Sequence, residues 1–340
     1  MTIAFEDLSP GMTFAFGACR VTEEEILEYA RQFDPQPFHL DAEAAKKSLL
    51  GGLAASGWHT CAMTMRMLYD GFLRDTTGIG APGIDECRWR HPVRPGMVLG
   101  VRIKVVATRV SQSRPELGLV GMEMEVHDQT GLVVLAQKHT NLFLRRDPAA
   151  PLPAPQGAPV ARRDPPPEPP ALEGVEANRT RFAGCYEDVL VGSRVETGAR
   201  HFTREETMAF ARKYDPQPFH LEDAAAEASH FGRLSASGWH TAAVCMGQYV
   251  RARQKIRDED AAAGRPVNVN GPSPGFRNLN WFRPVFPGDT ISFDSTAIGK
   301  RLSSRAGWGL VLSRSRGFSQ DGVKVFETFG ANMTPLRAAQ

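Results

Sequence analysis

The chain has 340 residues, 42% hydrophobic and 23% charged, with a formal net charge of +2. That length and composition suit two globular domains, each large enough to bury its own core. Near-neutrality offers no field for nucleic acid, and no run of about twenty apolar residues is present to span a membrane.

The first element expected is a helix opened by the capping pair Thr22 and Glu25 and running to about Phe33. It stops at Asp34-Pro35-Gln36-Pro37-Phe38-His39-Leu40, where two prolines favour extended or turn backbone, so Asp34 and His39 are expected on a stiff loop. A short helix from Asp41 to Lys47 follows. Ser56 then caps a buried helix that begins Gly57-Trp58-His59 and continues through Leu68. Alternation beyond it predicts half-buried strands at Val101–Val105, Met122–His127 and Leu132–Leu144, the last two joined by a turn at Asp128-Gln129-Thr130-Gly131.

Pro148 to Pro170 is proline-dense and nearly empty of large apolar residues, which predicts an extended spacer. After it the chain repeats itself. Asp215-Pro216-Gln217-Pro218-Phe219-His220-Leu221 copies the first phrase at an offset of 181, and Ala236-Ser237-Gly238-Trp239-His240-Thr241 copies the phrase around Gly57. Thr203 and Glu206 repeat the helix cap, and strands are expected at Thr290–Phe293, Leu310–Ser315 and Val323–Met333. From Trp281 the offset is 192, so the second copy carries an insertion, expected as a longer loop in or near 257–275. Self-similarity of this kind means homologous halves. The organisation expected is an N-terminal domain at 1–147, a linker at 148–180 and a C-terminal domain at 181–340. Each is an α+β unit of helices followed by an antiparallel meander.

An aspartate and a histidine five residues apart can converge on one water or one substrate proton, the carboxylate supporting the imidazole while both exchange proton roles. Asp34 with His39 and Asp215 with His220 are therefore candidate acid/base pairs; a structural hydrogen bond is the alternative for the same residues. Gly57 and Gly238 open their helices with an unpaired backbone N–H at the positive dipole end, suited to an oxyanion on a thioester carbonyl. Ser56 and Ser237 read as caps beside them. His59 and His240 read as packed or hydrogen-bonded helix residues, and Trp58 and Trp239 as wall or core. The five cysteines, Cys19, Cys61, Cys87, Cys185 and Cys245, lack metal-ligand spacing and are odd in number; neither a zinc site nor a disulfide framework is expected. The acidic start, with Glu6 and Asp7, does not suit a signal peptide, and the expected location is cytoplasmic.

On the two Asp-Pro-Gln-Pro-Phe-His phrases the chain resembles the MaoC-like family of hot-dog-fold (R)-specific enoyl-CoA hydratases and acyl dehydratases. The family motif is Asp-x-Asn-Pro-x-His, and Gln36 and Gln217 stand where asparagine is usual. Many relatives also have His-Gly where this chain has Ser56-Gly57 and Ser237-Gly238. The resemblance implies two tandem hot-dog domains, each a curved antiparallel sheet around a central helix, packed as an intrachain pseudo-dimer with a substrate tunnel at the interface. It assigns water activation to Asp34, His39, Asp215 and His220, the oxyanion donors to Gly57 and Gly238, with Ser56 and Ser237 beside them in the oxyanion and substrate-binding set, and an orienting role to Gln36 and Gln217. The implied substrate is an acyl-CoA thioester, with no cofactor, metal, nucleic acid or membrane partner. Pairing of two such chains into a homodimer of pseudo-dimers is left open, as are acyl length and the choice between CoA and a carrier protein. A hot-dog thioesterase and a non-catalytic acyl-thioester binding module are the competing readings.

Overall fold

The computed structural model describes residues 2–158, 164, 167–170, 172, 184–265 and 267–337; most of the expected linker at 148–180 therefore lies outside the described residues. In the first repeat, strand β1 (Thr13–Arg20) leads into helix α1 (Glu23–Phe33), whose Thr22 side chain accepts the Glu25 N–H as the capping pair requires. Short helices α2 (Pro37–Leu40) and α3 (Ala42–Lys47) precede the long buried helix α4 (Gly57–Gly71). Strands β2 (Gly78–Gly80), β3 (Gly83–Trp89), β4 (Val98–Val110), β5 (Leu117–His127) and β6 (Val133–Leu144) complete the unit. A two-residue strand, β7 (Gln156–Gly157), pins the start of the proline-rich segment to β4.

The second repeat follows the same plan with β8 (Arg194–His201), α5 (Arg204–Tyr214), a 3-10 turn at Pro218–His220, α6 (Asp223–Glu227) and α7 (Gly238–Ala262). It ends with β9 (Gly275–Trp281), β10 (Thr290–Leu302), β11 (Trp308–Phe318) and β12 (Lys324–Pro335). The hairpins form where turn chemistry placed them. Asp128 Oδ1 accepts from the N–H of Thr130 and Leu132, and Gly131 takes the positive φ of 86° that closes the turn.

All twelve strands join one sheet, ten of them in the order β1-β4-β5-β6-β3-β9-β12-β11-β10-β8, with β2 paired to β6 and β7 to β4 off this path. The order reads the same from both ends when each strand is replaced by its counterpart, so a pseudo-two-fold axis passes between β3 and β9. Those two strands pair antiparallel, Ile84 opposite Leu279 and Cys87 opposite Phe276, and make the sheet continuous between repeats. One hydrophobic core spans both units, with α4 and α7 lying against the buried sheet face. Phe33 meets Phe210 edge-on at 5.6 Å, and Tyr29 meets Tyr214 at 5.8 Å, across the axis. Among the described residues no helix is long and apolar enough to cross a membrane.

Three expectations need correction. Helix does not simply precede meander, because β1 comes before α1 and hydrogen-bonds to β4 at the sheet edge. His39 lies in a helical turn rather than on the stiff loop expected of it. Pro37 occupies the first position of the helical turn α2, where its missing N–H costs nothing and its fixed φ suits the helix, and Pro218 does the same in the second repeat. Finally, the insertion is helical in its first part: α7 has 25 residues where α4 has 15, and only the stretch beyond Ala262 is irregular.

Candidate active sites

Asp34 is the C-cap of α1, with φ −153° and ψ 65°, and its N–H donates to the Ala30 carbonyl. Asp215 caps α5 with φ −147° and ψ 66°. The chain then turns back, so that His39 faces Asp34 (Nε2 to Oδ2, 3.7 Å) and His220 faces Asp215 (3.5 Å). All four side chains are buried. In each site the imidazole Nδ1 lies on a carbonyl, Ala54 O at 2.7 Å or Ser235 O at 2.8 Å. A carbonyl only accepts, so Nδ1 donates its proton there and Nε2 is the ring nitrogen turned towards the carboxylate. Phe38 and Phe219 meet the imidazoles edge-on at 4.6 Å and hold their planes.

The carboxylates are held by residues with a second use. Ser56 Oγ–H donates to Asp34 Oδ2 at 2.5 Å while the same oxygen accepts the Trp58 N–H at 3.2 Å; Ser237 does both for Asp215 (2.6 Å) and Trp239 (3.2 Å). This bond to the carboxylate goes beyond the cap and the oxyanion and substrate-binding place expected of the serines. Gln36 and Gln217 each donate Nε2–H to the other carboxylate oxygen at 2.9 Å. The glutamines thus hydrogen-bond the aspartates, while the histidine Nδ1 atoms are held by backbone carbonyls.

Placement also comes from the opposite repeat. Arg251 on α7 donates to the carbonyl of Gln32 at 2.7 Å, and Gln254 to that of Pro35 at 2.7 Å, bracketing Asp34. Arg66 on α4 donates to the carbonyl of Arg212 at 3.0 Å at the end of α5. These cations satisfy helix C-terminal carbonyls and complement the dipole there. Arg66 and Arg251 do not align under the 181 offset, so the repeat concealed their shared task.

Gly57 and Gly238 stand at the first turns of α4 and α7, where N–H groups have no intrahelical acceptor. A second reason for glycine emerges from packing. A Cβ at Gly57 would lie 2.4 Å from the Trp89 ring, and one at Gly238 would lie 2.5 Å from Trp281. The sites differ in how that indole is tied: Trp281 Nε1 donates to the Gly238 carbonyl at 2.8 Å, whereas buried Trp89 Nε1 has no partner among the described residues.

Each pair opens on a cavity built from both repeats. The Asp34 cavity, about 310 Å³, contains His39, Gly57 and Trp58 together with Tyr249 of α7 and Asn332 of β12. The Asp215 cavity, about 290 Å³, contains His220, Gly238 and Trp239 together with Met65 of α4 and His139 of β6. Gly271, Pro272, Ser273 and Pro274, from the inserted stretch, line the Asp34 cavity. The insertion of the second repeat thus reaches the first repeat's cavity, beside the seam where β9 pairs with β3.

His59 and His240 stay out of both cavities. His59 stacks on Tyr29 at 4.5 Å, with Nε2 3.5 Å from Glu25, and burial pushes it below the usual imidazole range against the opposing pull of Glu25. His240 stacks on Phe210 at 4.7 Å, and burial lowers it to about 3. In the unfolded chain it returns to about 6.5, so on acidification the unfolded state takes up the proton first. Its contribution to stability is intact above about pH 6.5 and declines as pH falls towards 3. Between pH 7 and 5 the native chain should lose about 2 kcal/mol more unfolding free energy than His240→Phe. Equal losses in urea titrations of the two would contradict this.

The profile of the family described as "MaoC like domain" matches residues 7–126 and again 188–307. A mesaconyl-CoA hydratase of Haloarcula marismortui is 41% identical over 69 residues, which is 20% of this chain and 19% of that enzyme. The chain thus matches about a fifth of that relative's length. Among solved structures, a MaoC domain protein dehydratase from Chloroflexus aurantiacus superposes with a TM-score of 0.78 at 18% identity, covering 99% of this chain and 98% of that one. A Mycobacterium tuberculosis protein with a double hot-dog fold gives 0.71 at 16% identity, covering 98% of both chains. The fold is accordingly a double hot-dog, two α+β units packed as an intrachain pseudo-dimer.

Proposed function

Since the chain belongs to the family of MaoC-like domains through both of its repeats, we propose that it reversibly hydrates a 2-enoyl-CoA to an (R)-3-hydroxyacyl-CoA at two sites. The observation that carries this reading is the doubled arrangement of a buried, doubly hydrogen-bonded carboxylate opposite an imidazole Nε2, beside a helix start in the same cavity. In the hydration direction a water lies between Asp34 and His39, or Asp215 and His220. Its oxygen bonds to the β-carbon as one of its protons passes to the pair. The π electrons move towards the thioester carbonyl, whose developing negative charge is met by the Gly57 or Gly238 N–H. A proton from the pair then reaches the α-carbon, so the pair is unchanged over a turnover and no cofactor takes part. Arg90 and His91 border one cavity and Arg283 the other, where they suit the phosphates of CoA.

The reaction is tested with crotonyl-CoA by following loss of the enoyl-thioester absorbance alongside free thiol. Absorbance loss without thiol is expected. Thiol release at the same rate would make the protein a thioesterase, and binding without either change would make it an acyl-thioester binding module.

A further inference from the structure

Strand β6 breaks the rule of a buried strand face. Leu135, Gln137, His139, Asn141 and Phe143 alternate onto one side, and all five are buried. Three consecutive inward positions are polar, an arrangement that costs stability unless the groups find partners. Gln137 Nε2 donates to His139 Nδ1 at 3.1 Å, which leaves the ring proton on Nε2 as a donor. Asn141 Nδ2 reaches, among the described residues, the thioether of Met122 at 3.6 Å. All three side chains line the Asp215 cavity, on the repeat opposite its Asp-His pair.

The corresponding wall of the other cavity is different. Ser313 pairs with Gly330 and Ser315 with Thr328 on β11 and β12, as Met122 pairs with His139 and Met124 with Gln137 on β5 and β6. By this register His139 becomes Gly330, Gln137 becomes Thr328, and only Asn141 keeps its type, as Asn332. The reaction ends of the two sites are copies while their far walls are not.

We infer that the Asp215 cavity selects acyl groups carrying an uncharged oxygen, hydroxyl or carbonyl, beyond the reacting carbons, read by Gln137, His139 and Asn141. The inference rests on the acyl-thioester reading above. Burial holds His139 down at about 4, so its ring is neutral at ordinary pH and offers a hydrogen bond rather than a charge. Among the described residues lining this cavity the permanent cation is Arg283, which follows β9, two strands away from β6 in the sheet. A carboxylate against the β6 wall would be buried without a countercharge. An alkyl chain there would strand three polar groups, and sites built to hydrogen-bond an oxygen reject the analogue lacking it.

The test uses calorimetric titration with 4-hydroxybutyryl-CoA, butyryl-CoA and succinyl-CoA, which report binding whether or not the protein turns over enoyl-CoA. One site of the native chain should prefer the hydroxy ligand to butyryl-CoA by about tenfold or more. His139→Leu and Asn141→Leu should each bring that ratio towards one, and His139→Gln, which restores a donor, should keep most of it. Hydration of 4-hydroxycrotonyl-CoA relative to crotonyl-CoA, in chains carrying Asp34→Asn, should shift in the same direction. A ratio unmoved in whichever leucine variants fold, or tighter binding of succinyl-CoA, overturns the inference. Absence of hydration with the binding preference intact would instead count against the hydratase reading alone.

Discussion

Asp34→Asn and Asp215→Asn should each remove one component of enoyl-CoA hydration and leave the other, while the double replacement lowers the rate by about 10²- to 10⁴-fold. The expectation comes from the donors around each carboxylate. Asp34 accepts from Gln36 on one oxygen and from Ser56 on the other, and Asp215 does the same with Gln217 and Ser237. An asparagine of equal size can satisfy only one of these donors, because its NH₂ faces the other. It also removes the negative charge that would favour a cationic imidazole during proton transfer. Because the two pairs open on different cavities, a site with its aspartate intact should keep its own KM. If either single replacement abolished all crotonyl-CoA hydration while the thermal midpoint stayed near that of the native chain, the two-site reading would be wrong.

The second large effect is expected at the helix starts. In chains whose other site is silenced, Gly57→Ala or Gly238→Ala should lower kcat/KM by about 10²-fold or more, since a donor displaced by about 1 Å no longer meets the developing oxyanion. The added methyl would meet an indole at 2.4 Å or 2.5 Å, so either the ring or the first turn must shift. Overpacking of this kind costs about 1–3 kcal/mol. Gly238→Ala should be the more destabilising of the two, because Trp281 is tied through Nε1 to the Gly238 carbonyl while Trp89 has no such tether among the described residues. Unchanged kcat/KM in both alanine variants would remove the helix starts from the mechanism.

The local devices were readable in the chain because each depends on a few neighbouring residues. Thr22 with Glu25, Ser56 with Trp58, and the Asp128 turn all close within four positions. The proline phrases carry two signals. They do end α1 and α5, but a proline at the first helical position also permits a new turn, and it is this turn that carries His39 and His220. The polar face of β6 was available from alternation alone, since Gln137, His139 and Asn141 share their side with Leu135 and Phe143.

By itself, then, the sequence determined that there are two copies of one unit, where each Asp-His pair lies, and which glycine opens each central helix. Such features are set by short-range sterics and hydrogen bonds and survive duplication unchanged. Only the tertiary structure decided that each site is completed by the other repeat. Arg251 reaches Gln32 across 219 positions, β3 pairs with β9 to make the seam, and the inserted stretch of one repeat lines the cavity of the other. Contacts at that separation arise from packing two apolar faces about an axis, and no local pattern encodes which side chains the packing brings together.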